Sequence, residues 1–502
     1  MKAAILAGGS GTRLRPLTFT RPKPMLPLVD KPIIEHIVEY LKNFDIDEIA
    51  ITTNYLREQI ISYFTSKNPE VKLNYPLEEY PLGTAGSVKN IEDYFDDTFV
   101  VIQGDNITDI DLKKVINEHK NSGALCTIAT YKVEDPWNYG VISLNDDGRI
   151  KQFYEKPLVE NCKSNLINTG LYIIEPEVLR YIPKNVQFDF ARDLFPILLE
   201  KECIYGSIVD GFWIDVGESE GYTKAKNWML SKEESSISGL SDICGHIEGN
   251  VIIGENTKIS ENSVVIGPVV IKNNVVIDKN CRIGPYTCIN DNAHIRSNTN
   301  VNSSVIFENT TLGEETYINS CFIAENCLIG HNSNIQSSAI IGPHCELGSR
   351  VDIAQGSRLW PFVNIPRGYT VSGTIKKFVQ THEIIHNPEW SLRAVTPDEA
   401  FYFNMLQGHH VLYTGYRAIN LEEYSNILKQ VDISSIHYHL RENINDFAQW
   451  TKLIICDNKL ANEFKIIKDE FMNKNRDCEL RNKLISATDS RIKELIEIAN
   501  KI

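Results

Sequence analysis

The chain has 502 residues, 42 % of them hydrophobic, which is enough for about three domains with real cores and makes disorder an unlikely default. Its 66 acidic and 51 basic side chains leave a net charge of −15, the wrong sign for a protein that holds nucleic acid by neutralising phosphates. After Met1-Lys2 only five apolar residues precede Gly8, no run approaches the roughly 18 that a membrane span needs, and the 11 cysteines contain no C-x-x-C pair. A protein of a reducing cytoplasm is expected, with no membrane or nucleic-acid partner.

Through residues 1–230, β-branched runs at 3–6, 48–52 and 98–103 alternate with amphipathic stretches such as 32–43. That alternation predicts βαβ units, hence an α/β Rossmann-like domain with a mainly parallel sheet. The polar stretch 231–241 reads as a linker.

From Ile247 an aliphatic or aromatic residue recurs at every sixth position through Ile253, Ile259, Val265, Ile271, Ile277, Ile283, Ile289, Ile295, Val301 and Phe307. After a disturbance over 312–318 the step resumes at Ile323 and runs to Val371. Each hexapeptide supplies one short strand with its aliphatic residue inward, and Gly or Asn after it, with glycines at Gly254, Gly284, Gly330, Gly342 and Gly348, is expected to permit the turn. Three faces make a coil. The spacing resembles the left-handed parallel β-helix of hexapeptide-repeat proteins, which implies roughly seven coils over residues 245–373.

Beyond Gly373 the period vanishes. Asn420 can cap a helix that buries Leu421, Tyr424, Ile427, Leu428 and Val431, with Glu423 completing a capping box, and a last amphipathic helix fits 489–502. Residues 374–502 are expected to form a small, mostly helical domain of unknown function, which resembles an uncharacterised module that accompanies carbohydrate-active proteins.

The richest chemistry lies in residues 6–24, LAGGSGTRLRPLTFTRPKP, which follow the first predicted strand. Gly8, Gly9 and Gly11 let backbone N–H groups approach anionic oxygens, while Arg13 and Lys23 add positive charge. Neither G-x-x-x-x-G-K-[ST] nor G-x-G-x-x-G is present. The pattern G-x-G-T-R-x-x-P-x-T…P-K-P instead resembles the signature loop of sugar-1-phosphate nucleotidyltransferases. The resemblance continues in order through Leu82-Gly83-Thr84-Ala85-Gly86, Gly104-Asp105-Asn106, Tyr139-Gly140, Glu155-Lys156-Pro157, Asn168-Thr169-Gly170 and Trp213-Ile214-Asp215-Val216-Gly217. Thr169 stands where that family commonly has Ala, and Phe212 where it commonly has Tyr; neither change removes a charge.

In nucleotidyl transfer a sugar-1-phosphate oxygen attacks the α-phosphorus of a nucleoside triphosphate in line, and pyrophosphate leaves. The nucleophile is already anionic, so catalysis must come from positioning and charge neutralisation. The resemblance implies catalytic roles for Arg13, Lys23, Asp105 and Asp215. Asp105 and Asp215 are expected to hold Mg²⁺, Arg13 to stabilise the departing pyrophosphate, and Lys23 to neutralise the reacting phosphates. Leu6, Ala7, Gly8, Gly9, Gly11, Thr12, Gly83 and Thr84 are implied on the nucleotide, with Lys156 on the sugar phosphate and Gly140, Glu155 and Asn168 on sugar hydroxyls.

The runs PLGTAGSV, EDPWNYGVI and NTGLYIIEPEVLRYIP look most like mannose-1-phosphate guanylyltransferases, implying GTP and mannose 1-phosphate as substrates. Glucose-1-phosphate thymidylyl- or uridylyltransferases, and a non-catalytic nucleotide-sugar sensor of the same fold, are the alternatives. The β-helix is expected to mediate homo-oligomerisation. His246, His294, His331 and His344 within it raise acyl transfer as a second activity, though no acyl-coenzyme A signature accompanies them. The H-E-x-x-H match at His382–His386 is followed by Asn387-Pro388, which would end the required helix. The pairs His409-His410 and His437-x-His439 are expected to be solvated or core histidines, and the stretch 438–450 with Phe447 to be core.

Overall fold

A computed structural model of the chain describes residues 1–78, 80–201, 203–377, 391–395, 400–407, 410–441, 445–455, 457–471 and 476–499. They form two compact units: residues 1–78, 87–182 and 189–380, and residues 79–86, 183–188 and 381–502.

The first unit begins with an α/β domain. Its strands are β1 (Lys2–Leu6), β2 (Glu48–Thr52), β3 (Lys72–Asn74), β4 (Phe99–Gln103), β5 (Asn106–Thr108), β6 (Cys126–Lys132), β7 (Gly140–Leu144), β8 (Ile150–Glu155), β9 (Leu166–Ile174), β10 (Ile204–Ile208) and β11 (Trp213–Asp215). The main sheet runs β8-β7-β9-β4-β1-β2-β3, with β6 beside β9 and β10 beside β6. Strands β1 to β4 pair in parallel as expected, and only β8 and β9 run against the rest. Ala3, Ala4, Ile5, Val100 and Val101 are fully buried, as strands covered on both faces require. Helix α1 (Ile33–Lys42) lays Ile33, Ile34, Ile37, Val38 and Leu41 against this sheet as one apolar stripe.

A parallel β-solenoid of about eight turns follows, with three faces of nine, eight and eight strands. It has more turns than the seven expected because it starts inside the stretch read as a linker, where Ser236–Ile237 pairs with Ile252–Ile253. It also ends later, at Thr374–Ile375. The interior is a stack of buried aliphatics, among them Ile253, Ile271, Ile289, Ile306, Ile323 and Ile341. Two steps, Val301 to Ile306 and Ile318 to Ile323, are one residue short, so Ile306 takes the inward place expected for Phe307. Phe307 instead joins the core of the α/β domain.

The turns are made chiefly by residues other than glycine. Asn256, Asn274, Asn292, Asn309 and Asn326 hold positive φ at one corner, where Asn292 Nδ2 donates to Asn309 Oδ1 and Asn309 Nδ2 to Asn326 Oδ1, each at 3.1 Å. Among the expected turn glycines only Gly284 has positive φ. Gly330 and Gly348 are needed because the next coil is too close: an added Cβ would meet its backbone at 2.4 and 2.5 Å.

One outward column of the solenoid is apolar. Ile252, Val270, Cys288, Val305, Phe322 and Ile340 stack one above another and join the core of the α/β domain, with Phe322 edge-on to Tyr222 at 4.9 Å. Burying Phe307 and Phe322 contributes about 1.5–3 kcal/mol each. Lys226 of helix α2 (Ser219–Lys232) donates to the Tyr286 carbonyl across the same seam.

The second unit contains a hairpin the sequence reading missed, Phe401–Gln407 with His410–Ala418, followed by five helices among the described residues. The expected cap is present: Asn420 accepts from the Glu423 N–H at 2.8 Å, and the Glu423 carboxylate accepts from the Ile419 N–H at 3.0 Å. The last helix starts earlier than expected and spans Asp477–Ala499. Phe401, Phe403, Tyr424, Phe447, Trp450 and Phe464 form an aromatic core. His437 and His439 bind different carboxylates, Asp477 and Asp446, each at 2.8 Å. His409 and the H-E-x-x-H segment lie outside the described residues.

Candidate active site

The site grows from the carboxyl ends of β1 and β4, which are paired so that Leu6 stands opposite Gln103. The Gly104 N–H donates to the Leu6 carbonyl at 2.8 Å, and a Cβ at Gly104 would come within 2.8 Å of that oxygen. Glycine thus lets the chain turn closely across β1 and deliver Asp105. The second carboxylate arrives on β11, which pairs antiparallel with β5 and sets Asp215 opposite Asn106. The Val216 N–H donates to the Asp105 carbonyl at 2.9 Å, so the two aspartates become neighbours although distant in sequence.

Lys23 ion-pairs directly with Asp105. Burial pushes the Asp105 carboxyl upward, but the Lys23 ammonium outweighs it and holds the pKa below the usual carboxylate value. Asp215 responds oppositely: burial, then the charge of Asp105, pushes it up to about 7. Its Oδ1 is buried without a hydrogen-bond partner among the described residues.

Arg13 lies on the other side of Asp215, with Nη2 3.9 Å from its carboxylate and Nη1 3.0 Å from Glu218. Gly217 makes this possible, since a Cβ there would lie 2.8 Å from both the Arg13 guanidinium and the Asp215 carboxylate. In the loop between, Leu6 and Ala7 are buried whereas Gly8, Gly9 and Thr12 are exposed. An added Cβ at Gly8 or Gly9 would meet nothing within 4 Å, so this backbone faces open space. Gly11 has φ of 60°, and its carbonyl accepts from the Thr18 hydroxyl at 2.9 Å. Gly83 and Thr84 belong to the second unit, where Gly83 has φ of 73° and would touch the Phe188 carbonyl if it carried a Cβ.

Gly140 and Glu155 face each other across β7 and β8. A Cβ at Gly140 would lie 2.9 Å from Glu155 Oε2, so the glycine leaves room for that carboxylate, whose pKa burial raises. Lys156 has φ of 46°, a strained conformation for a side chain of its kind, secured by its N–H donating to the Tyr139 carbonyl at 3.0 Å. Asn168 turns inward: its Oδ1 accepts from the Gly170 N–H at 2.9 Å and its Nδ2 donates to the Tyr172 hydroxyl at 3.0 Å. The Trp213 indole and Asn106 both donate to the Thr169 carbonyl, fixing β11 against this strand.

Sequence reasoning missed Glu218, although it directly follows the W-x-D-x-G motif. It also missed Arg21, which lies within the signature loop and ion-pairs with Glu308 and Glu325 of the solenoid. Nothing local marks those two glutamates.

Comparison with known proteins finds relatives for each part of the chain. Residues 2–232 match the family described as Nucleotidyl transferase, 265–375 the GMPPB C-terminal domain, and 398–501 a Family of unknown function (DUF5752). A UTP–glucose-1-phosphate uridylyltransferase from Synechocystis is 38 % identical over 300 residues, which span 53 % of this chain and 77 % of that one. Mannose-1-phosphate guanylyltransferase 1 of Arabidopsis thaliana is 36 % identical over 54 % of this chain and 76 % of its own. The Bifunctional protein GlmU of Methanococcus maripaludis is 38 % identical over 61 % and 74 %. With the paired aspartates, their lysine and the arginine-bearing glycine loop all at one sheet edge, the chain belongs to the sugar-1-phosphate nucleotidyltransferase family.

Proposed function

We propose that this protein transfers a nucleotidyl group from a nucleoside triphosphate to a sugar 1-phosphate, with GTP and mannose 1-phosphate as substrates and GDP-mannose and pyrophosphate as products. The observation that carries the reaction class is the convergence of Asp105, Asp215, Lys23 and Arg13 at the ends of β4 and β11. Support for the guanylyl and mannosyl specificity comes from the matched GMPPB C-terminal domain and the Arabidopsis relatives named as mannose-1-phosphate guanylyltransferases.

In this reading the triphosphate lies along the exposed backbone of Gly8 to Thr12, whose N–H groups meet its anionic oxygens. Lys23 leaves Asp105 to neutralise the reacting phosphates, and Arg13 leaves Glu218 to take the pyrophosphate. The sugar phosphate oxygen forms the new bond to the α-phosphorus as the α–β bridging bond breaks, and its electron pair departs on pyrophosphate. No proton has to move, so orientation and charge carry the rate. Lys156 holds the incoming phosphate, and Glu155 faces the sugar.

The aspartate pair fits a hard divalent cation. Asp215 Oδ1 is a buried oxygen lacking a hydrogen-bond partner among the described residues, and its neighbour Asp105 adds a second hard donor. Among the described residues no third His, Cys, Asp or Glu joins them to complete a protein cage. Two carboxylates with phosphate oxygens and water is the arrangement Mg²⁺ favours. Asp105 and Asp215 would hold Mg²⁺, which when bound supplies neutralisation of charge on the α-phosphate and the attacking phosphate.

Pyrophosphate release with Mg²⁺ tests the proposal, using GTP, dTTP, UTP, ATP and CTP against mannose-, glucose- and N-acetylglucosamine-1-phosphate. Preference for GTP with mannose 1-phosphate is expected. Preference for UTP or dTTP with glucose 1-phosphate would overturn the specificity, and silence from folded protein would overturn the reaction class.

A further inference from the structure

The signature loop rests on the solenoid one coil at a time. Arg21 ion-pairs with Glu308 and Glu325, and the Thr20 hydroxyl donates to Glu325 at 2.5 Å. One coil further on, Pro16 sits so close to the solenoid that a Cβ at Gly342 would lie 3.0 Å from its Cβ. On the following coil Trp360 meets Phe19 at 5.3 Å between ring centroids. From the short strand Arg358–Leu359, which ends just before Trp360, Arg358 Nη1 donates to two loop carbonyls, that of Arg13 at 2.9 Å and that of Arg15 at 2.8 Å.

The last contact bears on the chemistry. Arg358 continues the outward column whose earlier members are apolar, since Ile340 and Arg358 stand directly opposite each other. It grips the backbone of the residue whose side chain reaches Asp215 and Glu218. Two carbonyls fixed by one guanidinium leave the Arg13 peptide little room to rotate, and the guanidinium of Arg13 is placed accordingly.

We propose that Arg358, on the solenoid, is a positioning residue for the pyrophosphate end of the reaction: it fixes the Arg13 peptide so that the Arg13 side chain is held ready for the triphosphate. The inference rests on the reaction proposed above. It makes the solenoid a working part of the active site.

The test uses the full chain, with steady-state kinetics and hydrogen exchange measured on the same preparations. Arg358→Gln is expected to lower kcat/KM for the triphosphate by about tenfold or more, as loss of positioning does, while KM for the sugar 1-phosphate moves by less than about twofold. Amides of residues 11–19 should exchange faster. Arg358→Lys, which can still donate to both carbonyls, should recover most of the activity and protection. Arg282→Gln, at an exposed site on another face of the solenoid, should match wild type.

An equal rise in KM for both substrates, unchanged kinetics in folded Arg358→Gln, or a lysine variant no better than the glutamine would each overturn the proposal. If Arg358→Gln does not fold, the lysine variant must still show near-wild-type loop protection, and faster exchange there refutes it. A wild-type enzyme silent on every substrate pair would defeat the reaction class. The buttress is then read from exchange alone, and unchanged loop protection in Arg358→Gln would refute it as well.

Discussion

Replacing Arg21 with methionine probes how firmly the signature loop is tied to the solenoid. The Arg21 side chain is 16 % exposed, between Glu325 at 7 % and Glu308 at 32 %, with ion pairs of 3.1 and 2.5 Å. Its guanidinium also lies 5.2 Å from the centre of the Phe307 ring. Methionine keeps much of the apolar contact but leaves two carboxylates side by side, one nearly buried. Stranding a buried charge in this way costs about 3–5 kcal/mol. Glu325→Gln should cost only about 1–2 kcal/mol, because Arg21 keeps Glu308 and the amide can still accept from Thr20. In the double variant the surviving Glu308 is exposed enough to hydrate, so the combined loss should fall short of the sum by about 2 kcal/mol.

Urea unfolding of the four proteins, followed by tryptophan fluorescence, measures this cycle. The chain has two compact units, so the transition assigned to the first unit is the one compared. Strict additivity, or a loss below about 1 kcal/mol in Arg21→Met, would refute the reasoning, since it would mean that water already satisfies the glutamates.

Three further substitutions test separate parts of the reading. Burial lowers the Lys226 pKa to about 8 from its ordinary 10.5, so between those values the unfolded chain binds more protons and stability should rise with pH. Lys226→Met should remove about 1–3 kcal/mol of that rise, read from urea midpoints at pH 7.5 and 9.5; the same slope in both proteins would contradict the assignment. Gly217→Ala should cut pyrophosphate release by about ten- to a hundredfold, because its methyl displaces Arg13 and Asp215, while shifting stability by under about 1 kcal/mol. A normal rate would show that neither side chain needs its observed place. Asp105→Asn should lower turnover by at least about a hundredfold in protein that still folds, and full activity would sink its assignment to the metal and phosphates.

The parts legible in the sequence are those whose signals are local. The six-residue period exposed the solenoid because every inward aliphatic must recur at that step, and βαβ alternation exposed the sheet around β1, β2 and β4. The glycine loop and the motifs at Asp105 and Asp215 were likewise contiguous. Phe307 was misplaced because a one-residue deletion at a corner shifts the phase while both Ile306 and Phe307 remain buried, one inside the solenoid and the other against the α/β domain. A signal for that interface did exist in the outward residues Val270, Cys288, Val305, Phe322 and Ile340, apolar where a solvated face would be polar. Gly and Asn were both expected at the turns, and it is chiefly Asn that takes positive φ there, pairing with Asn of the next coil. The hairpin of the second unit carries no tight Asn-Gly signal, and its strands lack clean alternation.

The same distinction explains why the site is electrostatically quiet before substrate arrives. Lys23 is paired with Asp105, and Arg13 with Glu218 and Asp215, so both cations that the proposed reaction draws from this loop already have carboxylate partners. Two unpaired cations at one sheet edge would repel each other and loosen the loop, a cost met throughout the protein's life whether or not it turns over. Carboxylate partners remove that cost, but they also compete with the triphosphate for the same donors. The loop can meet both demands only if its backbone stays fixed while its side chains change partners. Arg358 and the Arg21 pair bind the loop through carbonyls and a guanidinium to which the proposed reaction assigns no part. Rigidity and exchange of partners are thereby assigned to different residues, which is why the anchoring half of the site lies in a solenoid far along the chain.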